Sequence, residues 1–250
     1  MGLGIGMHMG VPRFEKPGGE IVKDGLVLYD RFTSSEQTYP SQGSAEFDGA
    51  SDYILIKEDG KGSAFDTQEF TIGAWMYIDT MQNNVIWSYD LASHVSPYYA
   101  QQFRTLTNGT LYFATNQNGS SLRETSSLSG AISAGNWYYV SITREDGAQN
   151  LYIDGSIHTS TAHTGTISYY NQEVWIGKAN FGGEFNGNLS NVAFWNRALS
   201  SDEINSVMWK SYATLNAGEK DGLQAWYALD DINGTNVPDS SGNGYDGTAN

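Results

Sequence analysis

The chain has 250 residues, 39% of them hydrophobic and 13% aromatic, with 28 acidic against 13 basic side chains and a formal net charge of −15. That is enough chain to bury a real core, and it is too aromatic and too sparsely charged for intrinsic disorder. So negative a field disfavours nucleic acid and anionic membrane surfaces, and the absence of cysteine removes disulfides, thiolate metal sites and cysteine nucleophiles.

Residues 1–24 are Gly-rich and carry no hydrophobic period, which predicts a flexible anchoring arm. This start lacks the charged and then apolar order of a secretory signal, and no window approaches the ~18 apolar residues of a spanning helix. From residue 25 the pattern changes to short period-two segments separated by Gly, Asn, Asp and Ser, the signature of an all-β sandwich or barrel. In EFTIGAWMYID, Phe70, Ile72, Ala74, Met76 and Ile78 share one face, and Thr71, Trp75 and Tyr77 the other. TNGTLYFATNQNGSSL reads as a hairpin. NWYYVSITRED alternates in the same way, with Tyr138, Val140 and Ile142 opposed to Trp137, Tyr139 and Ser141. Asp154-Gly155 then joins two alternating runs through a two-residue turn whose central residues both need positive φ. VWIGKA and LSNVAFWN are two further strands.

One helix is predicted, over residues 201–213. Ser200 is its N-cap, Glu203 closes the capping box, and Ile204, Val207, Met208 and Tyr212 follow at helical spacing. Residues 216–250 hold one strand, 223–229, and a turn-rich loop. That segment either completes the main domain (25–215) or pairs with a neighbouring chain, which would cover an exposed sheet edge.

Four stretches together resemble the laminin-G-like jelly-roll family: EFDGASDYI (46–54), EFTIGAWMYI (69–78), GNWYYVSITREDGAQNLYIDG (135–155) and VWIGKANFGGEFNGNLSNVAFWNRALSSDEI (174–204). The resemblance implies a two-sheet, concanavalin A-like antiparallel jelly roll. On that fold Trp75 and Trp137 are large enough to bridge the sheets, and Gly49, Gly155 and Gly187 sit where positive φ is wanted. The loop DSSGNGYDG at 239–247 is similar to one that normally precedes the F-D-G strand in relatives, so its terminal position here suggests circular permutation, a second copy cut short, or donation to a neighbour. The N-terminus MGLGIGMHMG…GGEIVKDGLVLYD, followed by the jelly-roll opening, is similar to virion proteins of marine tailed bacteriophages.

Three chemistries follow as candidates. Some lectin-like jelly rolls are glucanases with acids alternating along one strand; here Glu46-Phe47-Asp48-Gly49-Ala50 has Ala50 in place of the third acid, so no enzyme is expected. Calcium is the one cofactor implied: Asp239, Ser241 and Asn243 have 1-3-5 oxygen spacing with Gly244 next, and Asp246 would complete the set. The family's usual helping Asp is replaced by Ser190, and the alternative is a hydrogen-bonded Asx-turn loop. Carbohydrate recognition needs aromatic platforms, for which the loop-rich stretches offer Trp87, Tyr89, Tyr98, Tyr99, Tyr169 and Tyr170.

These readings converge on a non-enzymatic bacteriophage virion structural protein: a capsid decoration, capsid fibre or tail-fibre component, assembled in the host bacterial cytoplasm. The arm would bind other virion proteins, the domain would contact host-surface glycans, and closed symmetry would make it a homo-oligomer, a trimer. The alternative is a cellular, calcium-assisted carbohydrate-binding or adhesion module.

Overall fold

A computed structural model describes residues 43–57, 64–90, 99–117, 121–145, 147–163, 165–169 and 173–250. The predicted arm lies outside the described residues. The strands are β1 (Ala45–Asp48), β2 (Ile54–Lys57), β3 (Phe70–Ile78), β4 (Val85–Asp90), β5 (Tyr99–Thr105), β6 (Leu111–Gln117), β7 (Ser121–Ser126), β8 (Trp137–Glu145), β9 (Ala148–Ile153), β10 (Ser156–Ala162), β11 (Glu173–Ile176), β12 (Asn186–Trp195), β13 (Leu223–Tyr227), β14 (Asn236–Val237) and β15 (Gly247–Ala249). Two antiparallel sheets form a lectin-like sandwich. One is ordered β1-β12-β3-β8-β9-β10, with β13 also on β12; the other is ordered β14-β15-β2-β11-β4-β5-β6-β7.

Alternation decides which side chains meet between the sheets. Phe70, Ile72, Ala74, Met76 and Ile78 of β3 and Val140 and Ile142 of β8 enter the shared core with Trp87, Phe103, Phe113, Val174 and Phe194. The alternate set packs on the outer face of the first sheet: Trp75, Tyr139, Tyr152, Trp195 and Trp226 form a second apolar layer with Ile204, Val207 and Met208. The structure therefore corrects one expectation. Trp75 does not bridge the sheets, and Trp137 packs beside it against the outer layer. Strand parity had already put both on the side away from the core.

The covering helix α1 (Ser201–Val207) begins at the predicted capping box, with Ser200 accepting from Glu203 N and Glu203 accepting from Ser200 N. It stops well short of residue 213. The Trp75 indole donates to the Met208 carbonyl at 2.7 Å, which ties the end of the helix to β3. A 3-10 turn (Tyr212–Thr214) and the short helix α2 (Ala217–Lys220) follow.

Glu203 also accepts from Arg197 at 2.7 and 3.1 Å. These bonds, with those from Ser200, hold its pKa down at about 2 against an ordinary 4.5. A lowered carboxylate pKa stabilises the fold above the unfolded value and loses that contribution as pH falls through the folded one. Glu203→Gln is expected to destabilise the fold at pH 7 by about 1 kcal/mol after solvent screening, and so to lower Tm. The gap from the parent should close between pH 4.5 and about 2 in thermal melts.

Two glycines of the resemblance have physical reasons. Gly155 (φ 75°) follows Asp154 (φ 49°) in the expected turn between β9 and β10. Gly187 (φ 136°) lies inside β12 rather than in a turn; a Cβ there would stand 2.0 Å from the Tyr77 carbonyl oxygen.

Residues 223–249 form three strands, not one. Strand β13 lies antiparallel to β12, from Leu223 opposite Trp195 to Tyr227 opposite Val192, while β1 pairs with the other half of β12. The β14–β15 hairpin adds to β2 through Thr248 and Ala249. Leu229, at φ 65°, lies just beyond the end of β13 and buries its side chain.

Candidate functional site

The outer face of the eight-stranded sheet is built from the positions that alternate with the core. One row runs across five strands in register: Trp175, Ser88, Gln102, Ala114 and Glu124. Arg104 and Tyr112 are paired in the next row, and Glu173 and Asp90 in the row on the other side. Trp175, Ser88, Asp90 and Gln102 are buried and form the floor of this face.

The chain leaving β11 turns back over this floor. The Ser88 hydroxyl donates to the Lys178 carbonyl at 2.6 Å, and the Asn180 N–H donates to Asp90 Oδ2 at 3.0 Å. The Lys178 ammonium stands 4.1 Å from the Tyr53 ring centroid and 5.8 Å from that of Trp175. Arg104 lies 4.9 Å over Tyr112 and 4.7 Å over Phe181. The Tyr112 hydroxyl donates to Glu124 at 2.5 Å. Partly exposed Tyr53, Lys178, Phe181 and Arg104 thus surround a polar floor.

The aromatics expected from the sequence lie elsewhere. Trp87 and Tyr89 are fully buried and present no platform to solvent, which corrects that expectation. Trp87 stacks on Phe194 (5.4 Å, 20°) and donates to Gln101 Oε1 at 3.0 Å. Tyr89 donates to Asp66 and lies 5.3 Å from Tyr169. Tyr169 packs against the same core and donates to the Thr67 carbonyl at 2.5 Å; burial pushes its hydroxyl well above the usual tyrosine range. The structure brings these three rings together as interior packing. Tyr98 and Tyr170 lie outside the described residues, as does the side chain of Tyr99. The outer-face residues Tyr53, Trp175, Lys178, Phe181 and Arg104 escaped the sequence reading. For Arg104 and Trp175 the signal was parity: in QQFRT and EVWI each stands one position out of step with a core residue.

The family described as "Concanavalin A-like lectin/glucanases superfamily" matches residues 48–205. The chain belongs to this superfamily. The match ends before β13, β14 and β15, which complete both sheets of this superfamily member. No curated protein matches it. Among solved structures it is similar to a putative carbohydrate binding protein from Bacteroides ovatus, at 18% identity and a TM-score of 0.60, over 83% of this chain and 57% of that one. It is also similar to the CBM40 domain of the Ruminococcus gnavus IT-sialidase, at 14% identity and a TM-score of 0.56, over 67% of this chain and 97% of that one. A third is the receptor binding domain of botulinum neurotoxin mosaic serotype C/D, at 16% identity and a TM-score of 0.50, over 65% and 41%. Such distant likenesses establish the lectin-like fold.

The calcium implied by family resemblance does not fit the residues present. Asp239, Ser241, Asn243 and Asp246 do come together, but as a hydrogen-bonded loop. Asp239 Oδ1 accepts from Trp226 N and Ser241 N, and Oδ2 from Ser241 Oγ and Tyr245 N. Asn243 donates to the Leu223 and Gln224 carbonyls, and Asp246 accepts from Asp239 N. Ser190, at the family's second acidic position, donates to the Gly43 and Ala228 carbonyls. Among the described residues, no group of three or more His, Asp or Glu side chains is placed to hold a metal ion. Asp239→Ala strands the buried N–H of Trp226, so a loss of about 2–3 kcal/mol is expected. The Tm of the parent chain should not change between excess calcium and EDTA; a rise with calcium would restore the metal reading.

Proposed function

We propose that the chain is a non-catalytic glycan-recognition protein carried on a bacteriophage particle. The observation that carries the recognition reading is the outer face of the eight-stranded sheet. Partly exposed Arg104 and Lys178, each held against aromatic rings, place charged donors and ring edges side by side there, the kinds of group that meet polyhydroxylated ligands. The sandwich it shares with two proteins described as carbohydrate-binding supports the same reading.

The state of Asp48 supports a non-catalytic role. Its Oδ1 accepts from Ala50 N, Ser51 N and Asp52 N, and its Oδ2 from the Ser51 hydroxyl. These donors hold the carboxyl well below the usual carboxylate range. Such a group does not deliver a proton near neutral pH.

The virion assignment rests on the Gly-rich start and its order before the jelly roll. The arm would tether copies, in a trimer, to other virion proteins. Immunogold labelling of intact particles with an antibody against residues 45–205 tests it. Label over the head makes the protein a decoration or capsid fibre, and label at the tail tip makes it a fibre component. No label removes the virion reading and leaves a cellular adhesion module. A glycan array run with and without EDTA tests recognition: binding unchanged by EDTA is expected, and no binding overturns it.

A further inference from the structure

Arg104 and Lys178, on the outer face, are unusual in so acidic a chain. With 28 acidic residues against 13 basic ones, a surface Lys or Arg has acids in plenty to pair with, as Arg197 does with Glu203 and Lys210 with Glu219. Arg104 and Lys178 have no carboxylate within ion-pair distance among the described residues. The acids that share their sheet face are turned to other donors: Asp90 accepts from Asn180 N, and Glu124 from the Tyr112 hydroxyl. Glu173 lies in the Asp90 row at the other side of the floor. Arg104 Nε and the Gln102 side-chain amide nitrogen, two residues apart on one face of β5, are both buried without a hydrogen-bond partner among the described residues. A buried donor without an acceptor costs about 1–3 kcal/mol, but neither atom is open to solvent, so the groups of this face that an outside ligand can meet are the partly exposed Arg104 and Lys178.

The rings do not offer bare aromatic surface. Tyr53 and Trp175 have the Lys178 ammonium against them, and Tyr112 and Phe181 have the Arg104 guanidinium. These contacts fix the cations in place and make the site lead with charge. Lys178 and Phe181 are three residues apart in sequence, so their Cα atoms are at most about 11 Å apart. The segment that carries Lys178 therefore also touches the Arg104 guanidinium, through Phe181. The overall charge of −15 repels anions at a distance, but beyond the ~8 Å Debye length at physiological salt that repulsion is screened, and at contact the local cations decide.

We propose that the outer-face site binds an anionic saccharide, with Arg104 reading its carboxylate or sulfate group and Lys178 supplying the second positive contact. This rests on the glycan-recognition reading above and specifies its ligand class. The test is titration of the full chain with sialyllactose against lactose, a digalacturonate against its neutral digalactose counterpart, and a galactose sulfate against galactose. The acidic member of at least one pair should bind at least tenfold more tightly. The pair that responds distinguishes carboxylate from sulfate. Arg104→Gln and Lys178→Gln should each weaken that binding about tenfold, the loss of one charge-assisted contact, with Tm within a few degrees of the parent. Equal binding of acidic and neutral partners, or binding indifferent to both substitutions, overturns the anionic reading and leaves glycan recognition standing. Failure of every sugar to bind overturns both.

Discussion

A chain ending at Asp221 is expected to lose cooperative folding. The missing segment supplies Ala225, Trp226, Tyr227, Leu229 and Val237, all buried, and it feeds both apolar layers. At about 1.5–3 kcal/mol for each large side chain, that burial alone approaches the whole stability of an ordinary domain. The truncation also strips β13 from one half of β12 and the β14–β15 hairpin from β2, leaving two long edges open. Circular dichroism melts should show no sharp transition. Adding a peptide of residues 222–250 should restore one, since the slot is defined by register on two strands. A truncated chain with the parent Tm would mean that another strand fills the slot.

Phe194→Ala should be among the most damaging single substitutions, costing about 3–5 kcal/mol. Phe194 is fully buried at the point where the two sheets meet. It stacks on Trp87 at 5.4 Å and on Phe70 at 5.9 Å, and meets Phe65 edge-on at 5.1 Å. Three large rings cannot collapse into the vacated volume without leaving their own rotamers. The expected fall in Tm is roughly 10 °C, against almost none for Leu128→Ala, whose side chain is 77% exposed. Equal melts for the two variants would contradict the core described above.

The sequence by itself determined the fold class, the faces of β3 and β8, the start of α1 and the Asp154-Gly155 turn. Each depends on residues a few positions apart. Period-two alternation needs only strand geometry, a capping box spans four residues, and a two-residue turn needs positive φ at adjacent positions. Helix length did not follow from periodicity: the helix ends where the Met208 carbonyl meets Trp75, 133 residues away in the chain. Loop-like composition around Trp87 and Tyr89 suggested exposed platforms. Only the register of β4 against β5 and β11 turned both inward. The 1-3-5 oxygens of 239–243 were equally legible as a cation loop or an Asx turn. The neighbouring N–H groups of Trp226 and Tyr245 decided the matter by filling Asp239. The outer-face site was least legible of all. Tyr53, Arg104, Tyr112, Trp175, Lys178 and Phe181 come from three strands, the residue before β2 and the segment after β11, and nothing local marks them as neighbours. Their proximity arises from strand pairing across the sheet and from a chain that turns back over it, and only the tertiary structure supplies those.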